Sequence, residues 1–166
     1  MDIPNYLDRF KKAADLLDQK FLAEKEIEVV TGVYLNSVFL KLYKQSWTSP
    51  LQDPVTAESR IFFSVWIDED HAKTNELFYN IHALKLRKLK GYAIESRKFA
   101  ADFRAAFKAH EQSWPNVGVD FGPLTLMQGT VKTDLTNLNA EILTLSYEFL
   151  KIAHLVDATL LRYKKG

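Results

Sequence analysis

Between Leu138 and Tyr163 the chain carries two rows of residues at helical spacing, and a helix with two such rows must be covered on two sides. The first row, Leu138, Ile142, Leu145, Phe149, Ile152, Val156 and Tyr163, is a heptad-like seam interrupted at Thr159. The second, Leu143, Tyr147, Leu150, His154, Asp157 and Leu161, lies about 140° around the helix at an advance of ~100° per residue. Such a helix is either sandwiched between a sheet and another helix, or has one side covered by a second copy of the chain. The second option predicts a homodimer through the C-terminal helix.

A companion helix is read at the other end. Pro4 suits a first helical turn, and Ile3, Leu7, Phe10, Ala14, Leu17 and Phe21 recur on one face. The pattern fades at Glu24-Lys25-Glu26. From Ile27 to Leu89 the chemistry changes to β-branched and aromatic residues. Val33–Tyr43, Ile61–Ile67 and Leu77 to about Leu86 read as strands, separated by polar, turn-forming stretches. Three strands with polar connections predict an antiparallel meander. Residues 74–91 also admit a helix, with Lys88 and Lys90 before Gly91 as its C-terminal signal, but Phe78-Tyr79-Asn80-Ile81 favours a strand.

Ser96 is read as the N-cap of a middle helix ending near His110. Phe99, Phe103 and Phe107 share one face, with Arg97, Arg104 and Lys108 opposite. Trp114-Pro115-Asn116 stops it, and a later hairpin, Val117–Phe121 with Leu124–Val131, turns at Gly122-Pro123. The fold expected is therefore a single α+β domain over 1–166: N-terminal helix, antiparallel sheet, middle helix, later hairpin, and a long C-terminal helix packed over the sheet.

Composition supports that reading. A chain of 166 residues, 47% hydrophobic, is long enough to bury roughly 70% of its unfolded surface. The absence of cysteine excludes disulfides, thiolate metal sites and a cysteine nucleophile. The first residues lack the basic start and apolar run of a signal peptide, and no stretch approaches the ~18 apolar residues of a membrane span. A cytoplasmic protein without a membrane partner is the expectation.

Charge is unevenly placed. Ile81–His110 holds eight basic residues and two acids, a local +6 in a chain of net charge +1. Lys85, Arg87, Lys88, Lys90, Arg97, Arg104 and Lys108 are the binding candidates, suited to nucleic acid or another polyanion through counterion release. Intramolecular pairing is the competing explanation, since the rest of the chain is net acidic. No aromatic row accompanies these charges, so base stacking has no platform here.

Other candidates are weaker. Asp68, Asp70 and His71 could hold a hard cation, but without further ligands at defined spacing they predict a hydrophilic turn and no strong metal site. His82 is the one catalytic candidate, placed beside Asn80 on a strand face, where burial moves an imidazole pKa. His154 and Asp157 stand one helical turn apart, as an oriented dyad would, though no nucleophile joins them. Gly118, Gly122 and Gly129 fit hairpin roles, with no phosphate-loop pattern. The function expected is a non-enzymatic binding protein with a basic recognition surface and no cofactor. The alternatives are a small metal-dependent hydrolase or nuclease using the acidic turn and His82, and a structural homo-oligomer.

Overall fold

Helix α1 (Ile3–Leu16) begins where sequence chemistry places it. Pro4 occupies its first turn, and the Asp2 carboxylate accepts the Asn5 amide at 3.1 Å. It stops earlier than the apolar period implies. Asp18 accepts the Phe21 amide and starts a separate short helix, α2 (Gln19–Glu24), so the row running to Phe21 spans two helices. The computed structural model describes residues 1–166.

The sheet has five strands in the order of the chain, all antiparallel: β1 (Glu28–Tyr34), β2 (Ser37–Tyr43), β3 (Arg60–Asp68), β4 (Glu76–Leu84) and β5 (Thr125–Lys132). The expected strand Val33–Tyr43 is instead the end of one strand and the whole of the next. Leu35 adopts φ +53 and the chain reverses through Leu35-Asn36, with Tyr34 opposite Ser37. An apolar residue in a left-handed turn position gives no turn signal of its own, which hid the hairpin.

Residues 76–84 form a strand, not a helix. Leu77, Tyr79, Ile81 and Ala83 point into the core, and Lys85 at φ +46 ends the run. The acidic connection between β3 and β4 forms the short helix α3 (Glu69–Lys73), capped by Asp68. The predicted later hairpin is reduced. Val117–Phe121 touches β5 through one bridge, Gly118 to Gln128, its two hydrogen bonds at 2.8 and 3.0 Å. Asn116 at φ +52 and the Gly122-Pro123 turn leave too little extended chain for a strand.

Helix α4 (Ser96–Phe107) has Glu95 rather than Ser96 at its N-cap position, with no side-chain cap bond, and continues as a 3-10 turn over Lys108–Ser113. Helix α5 (Leu138–Leu161) packs against α1, α4 and β3. Phe149 of its first row stacks on Phe63 of β3 at 4.5 Å. Leu150 of the second row is 5% exposed, while Leu143 and Tyr147 also pack on the core. The chain itself thus covers the first row and the Leu143, Tyr147 and Leu150 part of the second, the sandwiched arrangement, while His154 and Leu161 stay exposed. Its buried Ser146 and Thr159 hydroxyls donate to carbonyls one turn back, Ile142 and Leu155, both at 2.7 Å. No helix is long and apolar enough to cross a membrane.

Alternation in the strands divides the sheet. One face, including Val38, Leu40, Ile61, Phe63, Val65, Leu77 and Ile81, joins the helices in one core. The other face carries aromatic and polar residues, and only α3 touches it, at one end, where His71 meets Phe78 edge-on at 4.3 Å.

Candidate functional site on the uncovered sheet face

Strand register arranges this second face into rows. Lys41, Ser64, Asn80 and Gln128 are consecutive partners across β2, β3, β4 and β5. Beside them runs Phe39–Trp66–Phe78, and on the other side Phe62 faces His82. A polar row therefore lies between two aromatic rows. Trp66 stacks on Phe78 at 4.5 Å, and Phe62 meets His82 at 5.2 Å.

Between the rows is a shallow cavity of about 310 Å³. Tyr34, Phe39, Phe62 and Trp66 wall it, while Ser37, Lys41, Ser64 and His82 supply its polar groups. No carboxylate lines it. The Lys41 ammonium sits 4.5 Å from the centre of the Phe39 ring and 4.6 Å from that of Phe62. It has no carboxylate within 4.0 Å and donates no hydrogen bond within the chain. Burial, and then the neighbouring Arg60, lower its pKa from the ordinary lysine value.

Arg60 lies against the same Phe62 ring at 5.2 Å and donates one bond to the Ala57 carbonyl, leaving its buried Nε unpartnered. His82 is held at its rim, with Nδ1 3.3 Å from the Leu124 carbonyl. A carbonyl only accepts, so this contact is made with the proton on Nδ1. Burial lowers the His82 pKa, helped by Lys41 and Arg60 and opposed by the Leu124 bond. Next to Ser64, Asn80 donates to Gln128 Oε1 at 3.2 Å, while its own buried Oδ1 has no partner. Buried polar atoms are ordinarily satisfied, so the polar row retains unused hydrogen-bonding capacity.

The basic block of Ile81–His110 is differently disposed. Lys85 and Lys88 both bind Glu58, at 2.7 and 3.0 Å, and hold its pKa at about 2. Arg104 folds back onto the chain: Nε donates to Leu126 O, and Nη2 approaches the carbonyls of Phe121, Gly122 and Thr125. Arg87, Lys90, Arg97 and Lys108 are exposed and pair with no carboxylate. Lys90 borders a cleft of about 860 Å³, beside Glu26, Glu28 and Lys44.

Of Asp68, Asp70 and His71 only two are brought together. Asp68 binds His71 Nδ1 at 2.6 Å while Asp70 points to solvent, and no three acidic or histidine side chains converge. Phe62, opposite His82, lies six residues along β3 from Asp68, or about 20 Å at the strand rise, so the acidic turn and His82 form no common centre. His154 and Asp157 are not a dyad either. Asp157 accepts Lys44 Nζ at 2.7 Å and Trp47 Nε1 at 2.8 Å, whereas His154 is exposed.

Sequence reasoning passed over Lys41, Arg60, Phe39, Phe62, Ser64 and Trp66, and noted Asn80 only as a neighbour of His82. The signal was alternation itself: Phe39-x-Lys41, Phe62-x-Ser64-x-Trp66 and Phe78-x-Asn80-x-His82 are one face of three neighbouring strands. Comparison with protein-family models, curated proteins and solved structures finds no match.

Proposed function

We propose that this chain is a non-enzymatic binding protein that takes an anionic ligand on the uncovered sheet face. The observation that carries this is Lys41, a half-buried cation between two rings with no acid to neutralise it. An unpaired charge withdrawn from water is costly to a fold, so its retention in a cavity favours an external partner. Binding is preferred to hydrolysis because the acidic turn and His82 stand a strand's length apart. The test is a titration with 1-anilinonaphthalene-8-sulfonate, read by its fluorescence. Saturable binding should weaken about tenfold or more in Lys41→Gln and stay unchanged in Arg97→Gln. Equal binding by Lys41→Gln and the parent chain would overturn the reading.

A second reading keeps the helix-side charges as a surface for nucleic acid or another polyanion. The four unpaired cations Arg87, Lys90, Arg97 and Lys108 favour it. Glu58→Gln releases Lys85 and Lys88, so it should tighten binding of a labelled single strand or duplex and steepen its salt dependence. No detectable anisotropy change at ~50 mM salt, where such contacts are strongest, removes this reading. A homodimer through α5 has less support, because the chain itself covers the first row and most of the apolar part of the second, leaving His154 and Leu161 exposed.

A further inference from the structure

We infer that the ligand of the sheet-face cavity is a small organic acid, with one anionic head on Lys41 and a ring-bearing apolar body against Phe39, Phe62 and Trp66. This rests on the anion-binding reading above and narrows it to a chemical class.

Size is the first argument. At about 310 Å³ the cavity lies at the lower end of small-molecule sites, which run from roughly 300 to 1,000 Å³. That admits a one- or two-ring body and not a long acyl chain. The second is the charge pattern. A nucleic-acid strand presents a phosphate at every repeat and needs a track of cations. Beyond Lys41 the polar row continues through Ser64, Asn80 and Gln128, all uncharged. Arg60, the neighbouring cation, donates to the Ala57 carbonyl and does not line the cavity, so one ammonium faces it and suits a single negative head.

The walls supply the third argument. Four of the lining residues are aromatic, so an inorganic anion would lose its hydration without gaining apolar contact. A ring on the same ligand would bury surface against Phe39, Phe62 and Trp66, offsetting the desolvation of the head. The two ring faces that hold the ammonium also fix its position before any ligand arrives. Ser64, the cross-strand partner of Lys41, lines the same cavity and offers its hydroxyl as a second donor for the head.

Calorimetry with four probes tests this: 2-naphthoate, its neutral analogue 2-naphthamide, acetate and inorganic phosphate. Naphthoate should bind at one site per chain in the sub-millimolar range, and the amide about tenfold or more weaker. Acetate and phosphate should give no isotherm at about ten times the naphthoate dissociation constant. Lys41→Gln should abolish the preference for naphthoate over the amide. Ser64→Ala, a smaller change, should weaken naphthoate alone. Equal binding of amide and acid overturns the anion reading itself. Phosphate or acetate binding as tightly as naphthoate leaves that reading standing and overturns the organic-acid class. No binding by any probe overturns both. Because the four-probe comparison uses the unaltered chain, the outcome does not depend on a variant folding.

Discussion

A Cβ built on Gly32 would lie 2.8 Å from Cζ of Phe39, so the Phe39 ring rests on bare backbone of the neighbouring strand. The two residues are cross-strand partners on the uncovered face, and this contact sets one wall of the cavity. Gly32→Ala cannot be accommodated with the ring in place. The obstruction is the far end of a half-exposed side chain, so the ring can move while the strands stay paired. Stability should change by less than about 1 kcal/mol, since the lower chain entropy of alanine offsets the crowding. Binding of 1-anilinonaphthalene-8-sulfonate should weaken several-fold. Denaturation and dye titration of the same variant separate the two effects, and unchanged dye binding would show that Phe39 does not shape the site.

Lys41 makes an opposite prediction for stability. Its ammonium loses water without gaining an acid, and a side chain of similar length without charge could keep the same ring contacts. Lys41→Met should therefore stabilise the fold by roughly 0.5–2 kcal/mol, the range typical of relieving a functional compromise. Urea denaturation would show a raised midpoint with an unchanged slope. A lowered midpoint would mean that the cation–ring contacts hold the sheet together, and that Lys41 needs no ligand to account for it.

The architecture was legible in the sequence where one period dominated. Leu138–Leu161 and Ile61–Ile67 announced themselves because their apolar spacing admits one secondary structure. Val33–Tyr43 failed because its turn is made by Leu35 and Asn36 rather than by glycine or proline. The site was harder to see for a different reason. Phe62 and Phe63 are adjacent, and sequence alone cannot say which one faces the helices until register and the covering layer are known. Arg104 shows the same limit for charge: its place on the helix was readable, but its reach to carbonyls near Phe121 is set by a loop with no periodic signal.

His82 should leave a mark on the pH dependence of stability. Burial lowers its folded-state pKa, with Lys41 and Arg60 adding to the effect. The unfolded chain therefore takes up a proton first as pH falls, near the ordinary value of about 6.5. In that window the unfolded state binds more protons, and stability declines with decreasing pH until the folded-state pKa is passed. Above about pH 7 the contribution is complete. His82→Asn should flatten the part of this slope that His82 contributes. Urea midpoints at stepped pH between about 5 and 7.5 provide the measurement. A parent and variant with parallel profiles would mean that His82 protonates alike in both states.

Arg104 gives the strongest structural prediction among the basic residues. Its guanidinium ties the loop at Phe121 and Gly122 and the start of β5 to α4, with contacts of 2.9–3.1 Å to four carbonyl oxygens. Its pKa is lowered by burial, against the pull of Asp120, so it is an anchored group rather than a free surface charge. Arg104→Gln should cost about 1.5–3 kcal/mol, the range for hydrogen bonds made by a charged donor. Arg104→Lys should recover only part of this, because an ammonium lacks the planar fork that spans several acceptors. Arg97→Gln, an exposed change on the same helix, should stay within about 0.5 kcal/mol of the parent. Hydrogen exchange would locate the loss at residues 121–126. If Arg104→Gln matched Arg97→Gln in both stability and exchange, the carbonyl contacts would carry no weight. Arg104 would then rejoin the basic residues free to meet a polyanion.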